Sequence, residues 1–133
     1  MNRTQKISSL LLILLGILGL VLKKYYNGPY LEFVNSYLGN VSISFAVYFL
    51  IGIVASEQKL NKLTTAVASL TIVELFEVTN GFGVMTNVFD SFDLIANLVG
   101  VGLAFALDSS RILLSNHNNS QIKGNKQQRT IDV

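Results

Sequence analysis

The chain has 133 residues, half of them apolar and only 14% charged, against about 25% charged in a typical soluble domain. At this length a soluble fold would leave much of its surface in water. A mean hydropathy of +0.49 would then expose apolar patches beyond the tolerated size, so lipid is the expected solvent. The lack of cysteine excludes disulfides, thiolate nucleophiles, cysteine-ligated zinc and a lipoprotein anchor. The formal charge is +2, but the cations stand singly or in pairs between apolar runs, a topological pattern rather than a nucleic-acid surface.

Four apolar stretches approach the roughly 20 residues that a helix rising about 1.5 Å per residue needs to cross a bilayer. The first runs from Ile7 to Leu22, and Lys23, Lys24, Tyr25 and Tyr26 extend it to headgroup level, which predicts a helix over about residues 7–26. Arg3 and Lys6 precede it as in a signal peptide, but no small-x-small cleavage site follows Leu22, so a retained anchor is expected. After Gly28 and Pro29, residues Tyr30 to Tyr37 mix aromatic and polar side chains. They read as an interfacial segment leading into a second helix over about 38–56, which is uncharged from Val41 to Ala55.

The third helix, about 60–78, is the least hydrophobic, with Thr64, Thr65, Ser69, Thr71, Glu74 and Glu77, and neighbours are expected to shield it from lipid. Gly81, Phe82 and Gly83 mark a loop. The fourth helix, about 89–107, carries Asp90, Asp93 and Asn97 in its first turns. Residues 1–114 therefore read as an all-α, integral membrane bundle of four transmembrane helices, and residues 115–133, rich in Asn, Gln, Ser and Lys, as a flexible polar tail.

If all four helices cross, Arg3, Lys6, Lys59, Lys62, Arg111, Lys123, Lys126 and Arg129 share one side with the N terminus, and only Lys23 and Lys24 lie on the other. That bias predicts a multi-pass protein of the inner membrane with both termini in the cytoplasm.

An Asp at the centre of a membrane helix costs about 2.5–3.5 kcal/mol on insertion scales, so each intramembrane acid needs a reason. Glu74 and Glu77 share one helix face at i, i+3, and Glu74 lies roughly 18 Å along the helix from Lys62, in the outer half of the layer. Asp93 and Asn97, at i, i+4, begin a stripe that continues through Gly100, Ala104 and Asp108, while Ala96, Gly100 and Ala104 form a small-xxx-small series. A short outer loop joins the two helices, so Glu74, Glu77, Asp90, Asp93 and Asn97 are expected to converge on one outward-facing, ligand-binding acidic cluster. Glu74 and Asp93 are the candidates for any catalysis, and no metal or cofactor is assigned.

Simpler roles stand beside these. Asn97 reads as an interhelical hydrogen-bond residue, Asp90 as a helix cap, Glu77 as a solvated interfacial acid, and Asp108 with Arg111 as a solvated boundary. His117 lies in the tail and is no ligand. Asn40 with Ser42, and Asn118 with Ser120, match a glycosylation pattern that recurs by chance.

Glu74 to Glu77, followed by Phe89, Asp90, Asp93, Asn97 and Gly100, resemble the VanZ-like family of small bacterial membrane proteins. A related short family of unknown function has the same layout. The likeness is best over helices three and four, and looser over helix two at Gly39, Asn40 and Ala46 to Tyr48. Two positions depart from the pattern: Glu77 stands where Gln is typical, and Asn87 where an Arg is common, so the site lacks that cation. The resemblance implies a bacterial inner-membrane protein of a family whose archetype is associated with resistance to the glycopeptide teicoplanin, without a settled molecular activity.

Three function classes follow. The first is a non-enzymatic envelope protein whose acidic cluster binds a small-molecule or lipid-linked ligand, or locks the bundle, among membrane lipids. The second is an enzyme of lipid-linked intermediates with Glu74 or Asp93 as general acid or base. Phosphate substrates would want Arg, Lys or a metal ion, which the outer halves of helices three and four do not supply. The third is a proton- or cation-coupled transporter, although the inner halves offer only Asp108. Clustered carboxyls in a poorly polarisable layer cannot all ionise cheaply. Infrared titration should find at least one carboxyl still neutral at about pH 6, and complete ionisation there would refute the clustering.

Overall fold

The computed structural model describes residues 1, 3–79 and 90–131, with side chains described as far as residue 111. The described elements are all helical: α1 Arg3–Leu22, a short 3-10 turn Lys23–Tyr25, α2 Leu31–Glu57, α3 Lys62–Val78 and α4 Ser91–Ile131. Three segments are long and apolar enough to cross a membrane, Arg3–Tyr25, Leu31–Glu57 and Ser91–Arg111. At 17 residues, α3 is the shortest of the four and measures about 26 Å.

Several boundaries differ from those expected. α1 begins and ends four residues early and hands over to the 3-10 turn. The segment Tyr30 to Tyr37 is no separate interfacial piece, because Leu31 already starts α2. Pro29 and the left-handed Tyr30 (φ 62°) close the preceding turn, and Glu32 in the first turn favours the positive end of the helix dipole. The α4 backbone stays helical to Ile131, where a flexible tail is expected. Gln, Lys and Arg are good helix formers, and no proline interrupts residues 115–131. The expected loop at Gly81 to Gly83, with Asn87 and Phe89, lies outside the described residues.

The turn between α2 and α3 is set by local chemistry. Lys59 takes a left-handed conformation (φ 56°) and the Leu60 N–H donates back to the Ala55 carbonyl at 3.0 Å, the wrap that closes a helix C-terminus. Asn61 then caps α3, its side chain accepting from the Thr64 N–H at 2.7 Å.

α2 is the central helix, packed against α1, α3 and α4, and α3 also packs on α4, while among the described residues the α1 and α3 backbones do not approach each other closely. Small residues allow the close crossings. A Cβ on Gly16 would meet the Ser42 carbonyl oxygen at 2.8 Å and the Ala46 Cβ at 2.9 Å, and one on Gly100 would strike Ser44 and the Val41 carbonyl. Tyr48, Phe49, Val101 and Ala104 form the buried apolar core. Large apolar side chains such as Leu11, Leu14, Leu63 and Leu98 face outward, as lipid contact requires.

α3 departs from the expectation that its neighbours shield it. Only Thr65, Ser69 and Val73 are buried, and Leu63, Val67 and Leu75 are more than half exposed. Its hydroxyls are satisfied within the helix: Thr65 Oγ1 donates to the Asn61 carbonyl and Ser69 Oγ to the Thr65 carbonyl, at 3.1 and 2.7 Å. Thr65 and Ser69 thus turn inward, while Thr64 and Thr71 stay exposed with the large apolar side chains.

Gly100→Ala should destabilise the bundle by about 1–3 kcal/mol through overpacking. Gly102→Ala, whose new Cβ meets nothing within 4 Å, should be close to neutral. Thermal unfolding of the two variants in one detergent checks the contrast.

Candidate functional site

The order of contacts along the helices fixes the site. Tyr37 and Asn40 of α2 meet Asp90 and Asp93 at the start of α4, whereas Tyr48 meets Asp108 further along both, so α2 and α4 run parallel. α3 runs opposite to both, with Lys62 beside Asp108 and Glu77 beside Asp93. All five residues of the expected cluster consequently lie at one end of the bundle.

Asp93 is its centre. It is 5% exposed, accepts from Asn40 Nδ2 at 2.7 Å, and has the Glu77 carboxyl beside it. Asp90 acts as the expected cap, its Oδ1 accepting from the Phe92 N–H at 3.2 Å, and its Oδ2 also accepts from the Tyr37 hydroxyl at 3.1 Å. Deeper in, Glu74 lies beside Asn97. Asn97 is 2% exposed, and its Nδ2 and the Glu74 Oε2 are both buried with no well-formed hydrogen bond among the described residues. Glu77 is half-buried.

Three contributors escaped the sequence reading. Asn40, noted for a glycosylation pattern and for the looser likeness over helix two, is half-buried and engaged on Asp93, and Ser42 is buried between α1 and α2. That pair is therefore no accessible acceptor, and Asn118 with Ser120 lies beyond the described side chains. Tyr37 shares the Asn40 face at i, i+3, a signal that the interfacial reading obscured. Lys23 supplies a cation from the 3-10 turn: it faces the same pocket as Glu77, Asp90 and Asp93, its Nζ donating to the Asn35 carbonyl at 3.0 Å. Gly39 leaves room for that ammonium, since a Cβ there would sit 2.5 Å from Nζ. At this end α3 and α4 offer no cation among the described residues, but the assembled pocket has Lys23.

The polar pocket is about 530 Å³. It shares Ile43, Phe76 and Glu77 with a cleft of about 210 Å³ between α2 and α3, otherwise lined by apolar side chains and Asn97. Across Tyr37 lies a third, apolar groove of about 330 Å³ between α2 and α4, with Phe33 and Phe92 against the Tyr37 ring. Charged head space and apolar side space therefore adjoin. Among the described residues, no group of three or more His, Asp or Glu side chains is arranged to hold a metal ion.

At the other end, Asp108 and Arg111 are not a simple solvated boundary. Asp108 pairs with Lys62 at 2.6 Å and accepts a long bond of 3.4 Å from the Tyr48 hydroxyl, while Arg111 donates to Ser8 Oγ across the bundle. With both groups partly buried, removing either partner would leave the other charge poorly compensated.

Asn40→Ala strips Asp93 of its amide donor and should cost about 1 kcal/mol, the usual scale for a polar contact between membrane helices. Tyr37→Phe, at the exposed rim, should cost less. Thermal unfolding of both variants and of the double mutant tests the ranking.

No protein-family model matches the chain, and no curated protein or solved structure matches it at a significant level.

Proposed function

We propose that this chain is a four-span, VanZ-like protein of the bacterial inner membrane that binds an amphiphile at an outward-facing acidic site. Its effect would fall on envelope lipid handling and glycopeptide susceptibility. The four-span reading is supported by direction: α2 and α4 are parallel neighbours, so a returning segment between them has to traverse the same layer, and α3 extends from the level of Asp108 to that of Asp93. Cytoplasmic termini are supported by the placement of charge. Arg3, Lys6, Lys59, Lys62 and Arg111 belong to the end where Lys6 bridges to Glu57 at 3.3 Å, and Lys23 and Lys24 to the other.

One observation carries the ligand class: the polar pocket and the apolar cleft share Ile43, Phe76 and Glu77. A molecule filling both has a polar head that meets Asp93, Glu77 and Lys23, and an apolar body that lies between α2 and α3. Such sites combine apolar walls with a few placed polar groups. Amine or hydroxyl groups on the head suit the carboxyl excess. A second reading, acid-base catalysis on a lipid-linked substrate, draws on the juxtaposed carboxyls of Glu77 and Asp93. A through-path for protons or cations is less favoured, because Asp108 at the far end is already held by Lys62.

Native mass spectrometry of protein extracted from bacterial membranes should find a co-purifying amphiphile on the wild type. It should be lost from folded Asp93→Asn, which alters the head space, and from Ile43→Trp, which fills the cleft. Expression of Glu74→Gln and Asp93→Asn in a bacterial host should also change teicoplanin susceptibility relative to wild type. An unchanged adduct and unchanged susceptibility in folded variants would refute the proposal.

A further inference from the structure

The end of the bundle opposite the acidic cluster has a pocket of its own. It is about 450 Å³ and draws on all four helices at the level of the α2 to α3 turn. Two cations, Lys62 and Arg111, line it against a single carboxylate, Asp108. Lys62 is committed to Asp108 at 2.6 Å. Arg111 is not so matched: its described hydrogen bond goes to the neutral Ser8 hydroxyl, and no carboxylate pairs with it among the described residues. A guanidinium has five N–H donors in a planar fork, so most of its donor capacity remains for a ligand.

We propose that this pocket binds the phosphate of an anionic ligand, either a phospholipid headgroup or a free phosphate, with Arg111 as its principal contact. The charge points to an anion, since Asp108 cancels Lys62 and leaves the guanidinium. Its planar fork matches two phosphate oxygens at once. The Tyr48 hydroxyl and the buried Ser9 and Thr65 supply polar walls, and Phe49 and Leu60 supply apolar ones. Basic pockets between helices at the cytoplasmic end of membrane bundles suit anionic headgroups, because the inner leaflet presents phosphate at that depth. The site is chemically the inverse of the outer one. It does not depend on the amphiphile proposed there.

The test uses the full-length protein in neutral detergent, titrated separately with phosphatidylglycerol, phosphatidylcholine and inorganic phosphate, with binding followed by native mass spectrometry and melting temperature. Wild type should prefer phosphatidylglycerol over phosphatidylcholine by roughly tenfold. Arg111→Gln should abolish that preference, Arg111→Lys should retain part of it, and Ser8→Ala, which frees the guanidinium, should keep it. Inorganic phosphate that competes with phosphatidylglycerol on the wild type supports a free-phosphate site, and failure to compete supports the lipid. Equal binding of the two lipids by wild type, with no Arg111-dependent binding of inorganic phosphate, overturns the proposal. So does a phosphatidylglycerol preference that survives in folded Arg111→Gln.

Discussion

A carboxyl group that starts a helix inside an apolar layer must find a donor, and Asp93 finds it in Asn40 at 2.7 Å. That hydrogen bond sets α4 against α2 in a parallel orientation, and the close crossing of Gly100 over Ser44 and Val41 continues the same contact down the helix pair. With the two helices parallel, the intervening chain has to return alongside them, which brings Glu74 and Glu77 of α3 up to the α4 residues. The polar pairing thus organises the apolar packing. Interhelical hydrogen bonds of this kind are individually modest, but their direction specifies which of several similar apolar surfaces meet.

The two ends of the bundle solve the burial of charge differently. At one end carboxyls face carboxyls and an amide, with Lys23 lying across Gly39 at the edge. At the other, Lys62 neutralises Asp108 directly and Arg111 reaches a hydroxyl. The first arrangement leaves polar capacity unused in the interior, at Glu74 Oε2 and Asn97 Nδ2. Unsatisfied buried groups are costly where no water is available, and these two lie at the end that also holds the polar pocket of about 530 Å³.

Much of the architecture was legible because lipid imposes length and polarity on each helix. The apolar stretches located all four helices, and the stripe of Asp93, Asn97, Gly100 and Ala104 marked the face of α4 that packs. The convergence of Glu74, Glu77, Asp90, Asp93 and Asn97 followed from one connection between neighbouring helices. What escaped was supplied by α2 and by the turn after α1. Tyr37 and Asn40 sit in a segment whose aromatic composition resembles an interface, and Lys23 has no periodic relation to the acids it faces, so only the packing of three elements reveals them. The inward turn of Thr65 and Ser69 was equally hidden. Hydropathy sums a helix over all its faces, while Thr65 and Ser69 satisfy themselves on its own carbonyls.

The α1 and α3 backbones flank α2 without a close approach to each other among the described residues, and Ile43 of α2 is partly uncovered beside the polar pocket. For the amphiphile proposed above, this opening would be a side door: entry would require diffusion in the plane of the membrane and no passage through water. Occupancy would then track the mole fraction of the ligand among the surrounding lipids, and its bulk aqueous concentration would matter little. The protein would in that sense report membrane composition.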